Sequence, residues 1–433
     1  MNTIAIDCGS SFIKAALFDE DGAIVKSIQR QAPIVNRNEL DGTAQIDGLT
    51  ALVRNIFSEL LSYVGDNEVR LGISNEMHGF LLATADGAPL IDYISWQKEY
   101  GRRTIDGTTP IEIISEHPQE IVNSGMPLRG GLPSVNLLYL SKKIELRAEV
   151  EFYTLGDYIL RSLSGIRPPI HPTNAAATGL FDLTINDWNR QLLSLVSSDK
   201  IIFPTVGTAP IEFSFDSVSI TAPPTIGDQQ AALYGAGLAR ADQLSFNMGT
   251  GGQVSRLTSS LDFSDRYQLR PYFDGRFLKT IPHIPCGRAL NVYLRFFRDG
   301  LKNFDAARSD DEIWRALMTS AATADGGGLV CDLSFFDNAA TEHNIGSIEN
   351  IGEYSLSVGN LMRAILDRLA DNFIDAAERL GSESIKKIIF SGGVARRIEA
   401  VRDRILSKYG SIEYVVSIDD TLNGLYRYSL EGG

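Results

Sequence analysis

The chain has 433 residues, 44% of them hydrophobic and 22% charged, the composition of an ordinary globular protein long enough for two cores. Its 54 acidic side chains outnumber 40 basic ones; the net charge of −14 argues against nucleic acid or an anionic membrane as the main partner. The three cysteines (Cys8, Cys286, Cys331) lack metal-ligand spacing, no basic-then-apolar leader opens the chain, and no apolar run nears the roughly 20 residues of a bilayer span, so a reducing cytoplasm is expected.

In chain order, "TIAID", "FIKAALFD" and "AIVKSIQR" read as three strands of an antiparallel meander, with "CGSS" and "EDG" as turns. "LTALVRNIFSELLSYV" has helical periodicity, and "VRLGIS" returns as a buried strand. "GMPLRGGLPSVNLLYLSKK" passes from a proline- and glycine-rich stretch into a helix. "LGDYILRSLSG" is a helix closed by Gly165, and "IRPPIHPT" is a connector. Pro223–Pro224 mark the expected domain boundary, giving domains 1–224 and 225–433. Beyond it, "QLSFNMGTGGQVSRL" repeats the strand, small-residue turn and strand of the opening. A long amphipathic helix ending near Gly381 then precedes the strand "IKKIIFSGG". Two halves that start alike point to an internal duplication in an α/β protein.

Several short stretches could carry chemistry. Asp7 ends the first strand before Gly9, Ser10 and Ser11. Such a turn lets backbone N–H groups and hydroxyls approach an anion, and the carboxylate could hold Mg²⁺; as a bland alternative it is only a turn former. Met77–His78–Gly79 follow a strand, and Trp96 with Gln97 offers a ring face and an amide suited to a carbohydrate. Asp228 in "TIGDQQAALYGAG" is a helix cap or a base. Gly249, Thr250 and Gly251, and later Gly392 and Gly393, each follow a strand, where backbone donors and a helix start suit phosphate.

The ordered motifs "IAIDCGSSFIKAALFDEDG", "GISNEMHGFLL", "ISWQ", "LGDYILRSLSG", "TNAAATGLFDL", "IGDQQAALYGAG", "MGTGG" and "IIFSGGVARR" cover nearly the whole chain. Together they make it resemble the FGGY family of carbohydrate kinases, within the actin-like ATPase superfamily. The resemblance implies two ribonuclease H-like domains with a cleft between them, a sugar mainly on the first and ATP mainly on the second. It implies that Asp228 is the base and that Asp7 is associated with Mg²⁺. It places Gly9, Ser10, Ser11 and Lys14 near the transferred phosphate, Gly249, Thr250 and Gly251 on the second phosphate turn, and Gly392 and Gly393 on the adenosine side. Met77, His78, Trp96 and Gln97 would face the acceptor, a ketose by analogy with xylulose kinases, and a homodimer is compatible. Three positions depart from the family. Lys98 stands where an acidic residue is common, and it is expected to be solvated. Asn136 replaces a frequent lysine, and Val394 replaces a glycine. Competing readings are a catalytically weak sugar-binding relative and an actin- or chaperone-like ATPase with no sugar.

Overall fold

A computed structural model describes residues 1–33, 44–65, 68–336, 344–381, 384–418 and 420–431. They form two compact units: Met1–Gly237 with Ser259–Phe277 and Asp419–Gly433, and Leu238–Thr258 with Leu278–Ile418.

The first unit is built on the expected meander. Strands β1 (Asn2–Cys8), β2 (Phe12–Phe18) and β3 (Ile24–Gln31) pair antiparallel in succession. The strand β4 (Glu68–Asn75) lies parallel to β1 on its other side, and Val218–Ala222 follows it, also parallel. Helix α1 (Ala44–Leu61) places Ile46, Leu49, Val53, Ile56, Phe57 and Leu60 at spacings of three and four residues. That spacing is a single stripe, and all six are buried with Ile4, Ile6, Leu71 and Ile73 of the sheet. A second core gathers Phe80, Phe152, Phe181, Leu138 and Trp188 from the middle of the chain.

The second unit repeats the arrangement. Its sheet runs in the order Phe277–Ile284, Gly252–Thr258, Gln243–Met248, Lys387–Ser391, Glu413–Val416. Gln243–Met248 is antiparallel to the strand after it and parallel to Lys387–Ser391, as β1 is to β2 and β4. This shared order is the duplication suggested by the two openings. The helix Val358–Arg379 starts behind Ser357, whose side chain caps it, and gives way at Gly381, whose φ of 81° suits glycine.

Compactness divides the chain elsewhere than at Pro223–Pro224. The short strand Ile226–Gly227 adds to β4 with Ile226 opposite Ser74, which keeps the following helix, Asp228–Gly235, in the first unit. The last helix, Asp420–Glu431, packs against it through glycines. A Cβ on Gly424 would strike the Ala231 carbonyl, and one on Gly235 the Asp420 carbonyl. Both obstacles are backbone, so neither can step aside. Gly424→Ala is therefore expected to lower unfolding free energy by about 2–3 kcal/mol, read from urea denaturation. A variant as stable as the parent would contradict this close approach.

Candidate active site

Three parallel strands of the first unit end at one edge, and each delivers a carboxylate there. Asp7 lies at the end of β1 and Glu76 follows β4. Asp228 follows Ile226–Gly227, which is itself paired with the end of β4. Ligands commonly bind outside the carboxyl ends of parallel strands, because loops diverge there and leave room. Glu76 is tied to this edge by its backbone N–H, which donates to the Cys8 carbonyl (3.1 Å). The Ser74 hydroxyl donates to Asp7 Oδ1 (2.8 Å), and Lys14 stands opposite Asp7 across the β1–β2 hairpin.

The electrostatics follow from this crowding. Burial raises the pKa of Asp7, opposed by Ser74 and the Lys14 charge. Burial also raises that of Asp228, to about 7, and the negative charges of Asp7 and Glu76 push the same way. The Gln229 N–H, which donates to Asp228 Oδ1 (2.8 Å), and the Arg270 guanidinium pull it down. The cap reading of Asp228 is corrected here. Gly227 is the N-cap and Asp228 the first helical residue, so its carboxylate takes the next N–H and does not reach back to close the helix start.

Met77 borders the Asp228 segment. Met77 lies against Gly227, where a Cβ would meet its sulfur at 2.9 Å, and Arg270 Nη1 approaches that sulfur at 3.7 Å. His78 has a φ of 64° and donates from Nδ1 to the Ala177 carbonyl (2.7 Å). Trp96 is 46% exposed. Its loop is held from behind by Gly131, whose missing Cβ leaves room for the Trp96 carbonyl, and by Asn136. Asn136 donates to the Lys98 carbonyl (2.7 Å) and accepts from the Tyr100 N–H (3.0 Å). Gln97 is half-buried in that turn, its N–H donating to Ser95 Oγ (3.3 Å). Lys98 is not solvated as expected. It is 5% exposed, and burial lowers its pKa against the raising influence of Asp92.

Gly9 and Ser10 line one small cavity with Glu76 and Tyr93. Ser10 and Ser11 are exposed at the turn, where the Ser11 carbonyl accepts from the Ala32 N–H (3.0 Å). In the second unit, the two glycine turns come together on neighbouring parallel strands, since Asn247 pairs with Ser391. Gly392 has a φ of 88°, and a Cβ there would strike the Met248 carbonyl carbon and the Gly249 nitrogen, at 2.6 and 2.8 Å. The carbonyls of Gly249 and Thr250 accept from the N–H groups of Gly287 and Arg288 (3.0 and 2.8 Å), which fixes the turn. Gly393 opens the next helix and meets nothing within 4 Å at its Cβ position. Half-buried Val394 lies inside that helix.

Some contributors carried little sequence signal. Glu76 was visible only as a charge at the end of an apolar strand, and Arg270 as a charge within "QLRPYF". A buried polar network under the Asp228 segment was not legible at all. Thr225 Oγ1 donates to Asp157 Oδ1 (2.6 Å), Thr154 Oγ1 donates to Asp157 Oδ2 (2.6 Å), and Asn174 Nδ2 donates to Asn75 Oδ1 (3.0 Å) and the Thr225 carbonyl (2.9 Å). Burial raises the Asp157 pKa to about 6, restrained by these hydroxyls.

Among the described residues, no group of three or more His, Cys, Asp or Glu is arranged to hold a metal. Mg²⁺ does not require one, because it is commonly held by one or two carboxylates together with water and phosphate oxygens. The crowded charges of Asp7 and Asp228 fit that kind of site. Among the described residues, no helix is long and apolar enough to cross a membrane.

Residues 2–213 match the N-terminal domain of the FGGY family of carbohydrate kinases. A glycerol kinase of Aquifex aeolicus is 28% identical over 304 residues, which are 66% of this chain and 58% of that relative. The chain thus spans less than two thirds of that relative's length. Two solved structures from Lactobacillus acidophilus share the fold over 100% of this chain. One is a xylulose kinase (TM-score 0.83, 18% identity, 89% of its chain covered) and the other a gluconate kinase (0.82, 20%, 90%). Over residues 2–213 the chain is thus similar to the FGGY family of carbohydrate kinases, and it shares the two-domain fold of these solved structures.

The raised pKa of Asp228 makes a stability prediction with a definite sign. Its ordinary value is 3.8 and its folded value about 7, so the folded state holds a proton that the unfolded state releases in between. Stability therefore falls as pH rises through that window, and the cost is fully present above it. Asp228→Asn removes the charge. The variant is expected to melt several degrees above the parent at pH 8, with the gain shrinking towards pH 4. A pH-independent difference in melting temperature would refute the assignment.

Proposed function

We propose that the chain transfers the terminal phosphoryl group of ATP to a hydroxyl of a sugar or polyol. The observation that carries this reading is Asp228, a partly buried carboxylate that titrates at about 7. A general base works best when its pKa lies near the operating pH. In the step itself, the acceptor oxygen bonds to the γ-phosphorus and the bond to the β-bridging oxygen breaks. ADP departs, and the hydroxyl proton moves to Asp228. Phosphoryl transfer asks little covalent chemistry of a protein; it asks for position and charge stabilisation.

The remaining residues take roles in keeping with their places. Gly9, Ser10 and Ser11 offer backbone and hydroxyl donors to the transferred phosphate, with Lys14 nearby. Gly249, Thr250 and Gly251 hold nucleotide phosphates, and Gly392 and Gly393 admit the adenosine side, where no side chain obstructs the backbone. Asp7 would hold Mg²⁺ with phosphate oxygens, and that ion would supply neutralisation of the developing charge. Met77, His78, Trp96 and Gln97 border the acceptor. On this reading the first unit takes the acceptor and the second the nucleotide. The ketose expectation is the finer form of the proposal, supported by the fold neighbour that is a xylulose kinase.

A coupled ADP-release screen over ketoses, aldoses, polyols and sugar acids tests the activity. Asp228→Asn is expected to lose about 10²–10⁴-fold in turnover while nucleotide binding persists. Parental turnover should rise with pH through about 7 as the carboxylate ionises. Acceptor binding without ADP release would point instead to a catalytically weak relative. ADP release indifferent to every carbohydrate would point to a sugar-independent ATPase.

A further inference from the structure

The second unit presents apolar side chains that its own core does not take. Helix Gly287–Asn303 buries Ala289, Leu290, Tyr293 and Leu294. On its solvent side Arg288, Arg295 and Lys302 recur every seven residues, which sets them in one stripe, and all three are exposed. Asp299 is the acid of that helix, so the stripe stays basic in a chain whose net charge is −14. Among the described residues none of the three cations is in an ion pair; the Arg288 guanidinium lies over the Phe336 ring (4.2 Å). Phe296 borders the stripe, and Phe304, 84% exposed, stands just past the helix end.

A loop of opposite charge adjoins this helix. The strand Ser347–Glu349 pairs antiparallel with Val330–Asp332, and the residues after it lead into the helix Val358–Arg379. In that loop Ile351, Tyr354 and Leu356 are each more than half exposed, Tyr354 at 87%, and Glu349 and Glu353 are exposed among them. Three large apolar side chains within six residues differ from the single exposures common on a protein surface. The loop holds a defined shape. Asn350 Nδ2 donates to the Gly328 carbonyl (3.4 Å), the Gly352 N–H to Ser355 Oγ (2.7 Å), and Asn360 Nδ2 to the Ser355 carbonyl (3.0 Å). Helix and loop meet at Phe335, whose ring lies edge-on to Tyr293 (5.5 Å between centroids) and fills the space a Cβ on Gly346 would need. Basic helix and acidic loop complement each other in charge, and both are apolar. Each is turned to solvent and pinned, so neither can cover the other within one chain. A second copy related by a two-fold axis meets each with its complement, and it overcomes locally the repulsion between two acidic chains.

We propose that this face of the second unit pairs with a second copy of the chain, the loop 349–356 of each copy lying along helix Gly287–Asn303 of the other. Tyr354 and Leu356 pack on Phe296 and Phe304, and Glu349 and Glu353 face Arg295 and Lys302. The two-fold axis makes the contact twice, so every substitution counts twice. The pairing does not depend on the kinase reading.

Sedimentation velocity of the full chain between about 1 and 100 μM reads the association. A dimer is expected at about 10 μM, with no larger species. Tyr354→Ser is expected to raise the dimer Kd at least about tenfold. The charge reversals Arg295→Glu with Lys302→Glu, and Glu349→Lys with Glu353→Lys, are each expected to raise it about 10–100-fold. Combining all four is expected to restore it to within about tenfold of the parent. These positions are exposed, and parental melting temperatures would show that the variants stay folded. A chain that stays monomeric over the whole range overturns the proposal. So does a dimer whose Kd none of the three variants moves more than about twofold, since its interface then lies elsewhere. Two weakened reversals that the combination fails to restore overturn the pairing of loop with helix. Growth into open-ended assemblies overturns the two-fold arrangement.

Discussion

Parallel pairing of β1, β4 and Ile226–Gly227 forces Asp7, Glu76 and Asp228 to share one edge of a sheet. Like charges crowded out of water cannot all ionise cheaply, so one group keeps its proton into the neutral range. Here the burden falls on Asp228, because it answers to burial and to both other acids at once. The fold thereby gives up stability as pH rises towards and above neutral. The start of its helix is favourable for negative charge, but that contribution is too small to reverse the shift.

Such a residue needs a rigid seat. Thr225, three residues before it, is bonded into the Asp157, Asn75 and Asn174 network, and the Gly227 N–H donates to Thr173 Oγ1 (3.3 Å). Beneath the helix, Gly424 and Gly235 let the last helix approach at backbone distance, and the Tyr428 hydroxyl donates to the Pro224 carbonyl (2.9 Å). Residues more than 200 positions apart in the chain thus hold the same few atoms. A buried polar network of this kind is favourable only when its donors and acceptors are matched, which makes its geometry unforgiving.

The second unit uses the same sheet order for a different purpose. At the ends of its neighbouring parallel strands Gln243–Met248 and Lys387–Ser391 stand glycines in place of acids. Gly392 is required twice over, by its positive φ and by the closeness of Met248 and Gly249. One architecture therefore ends in carboxylates in one copy and in glycine turns in the other.

The sequence alone determined much of this. The meander, α1, the late amphipathic helix and the strand-then-glycine pattern were legible, because periodicity and glycine punctuation are local properties. So were Asp7, Asp228 and the glycine turns as candidates. Tertiary structure decided the rest. It moved the division between units away from Pro223–Pro224, buried Lys98, made Gly227 the cap, and added Glu76, Arg270 and the Asp157 network. Each of these depends on which distant segments meet. Coulomb interaction and desolvation are set by separation in space, and a lone charge in a linear sequence carries no record of what will be packed against it.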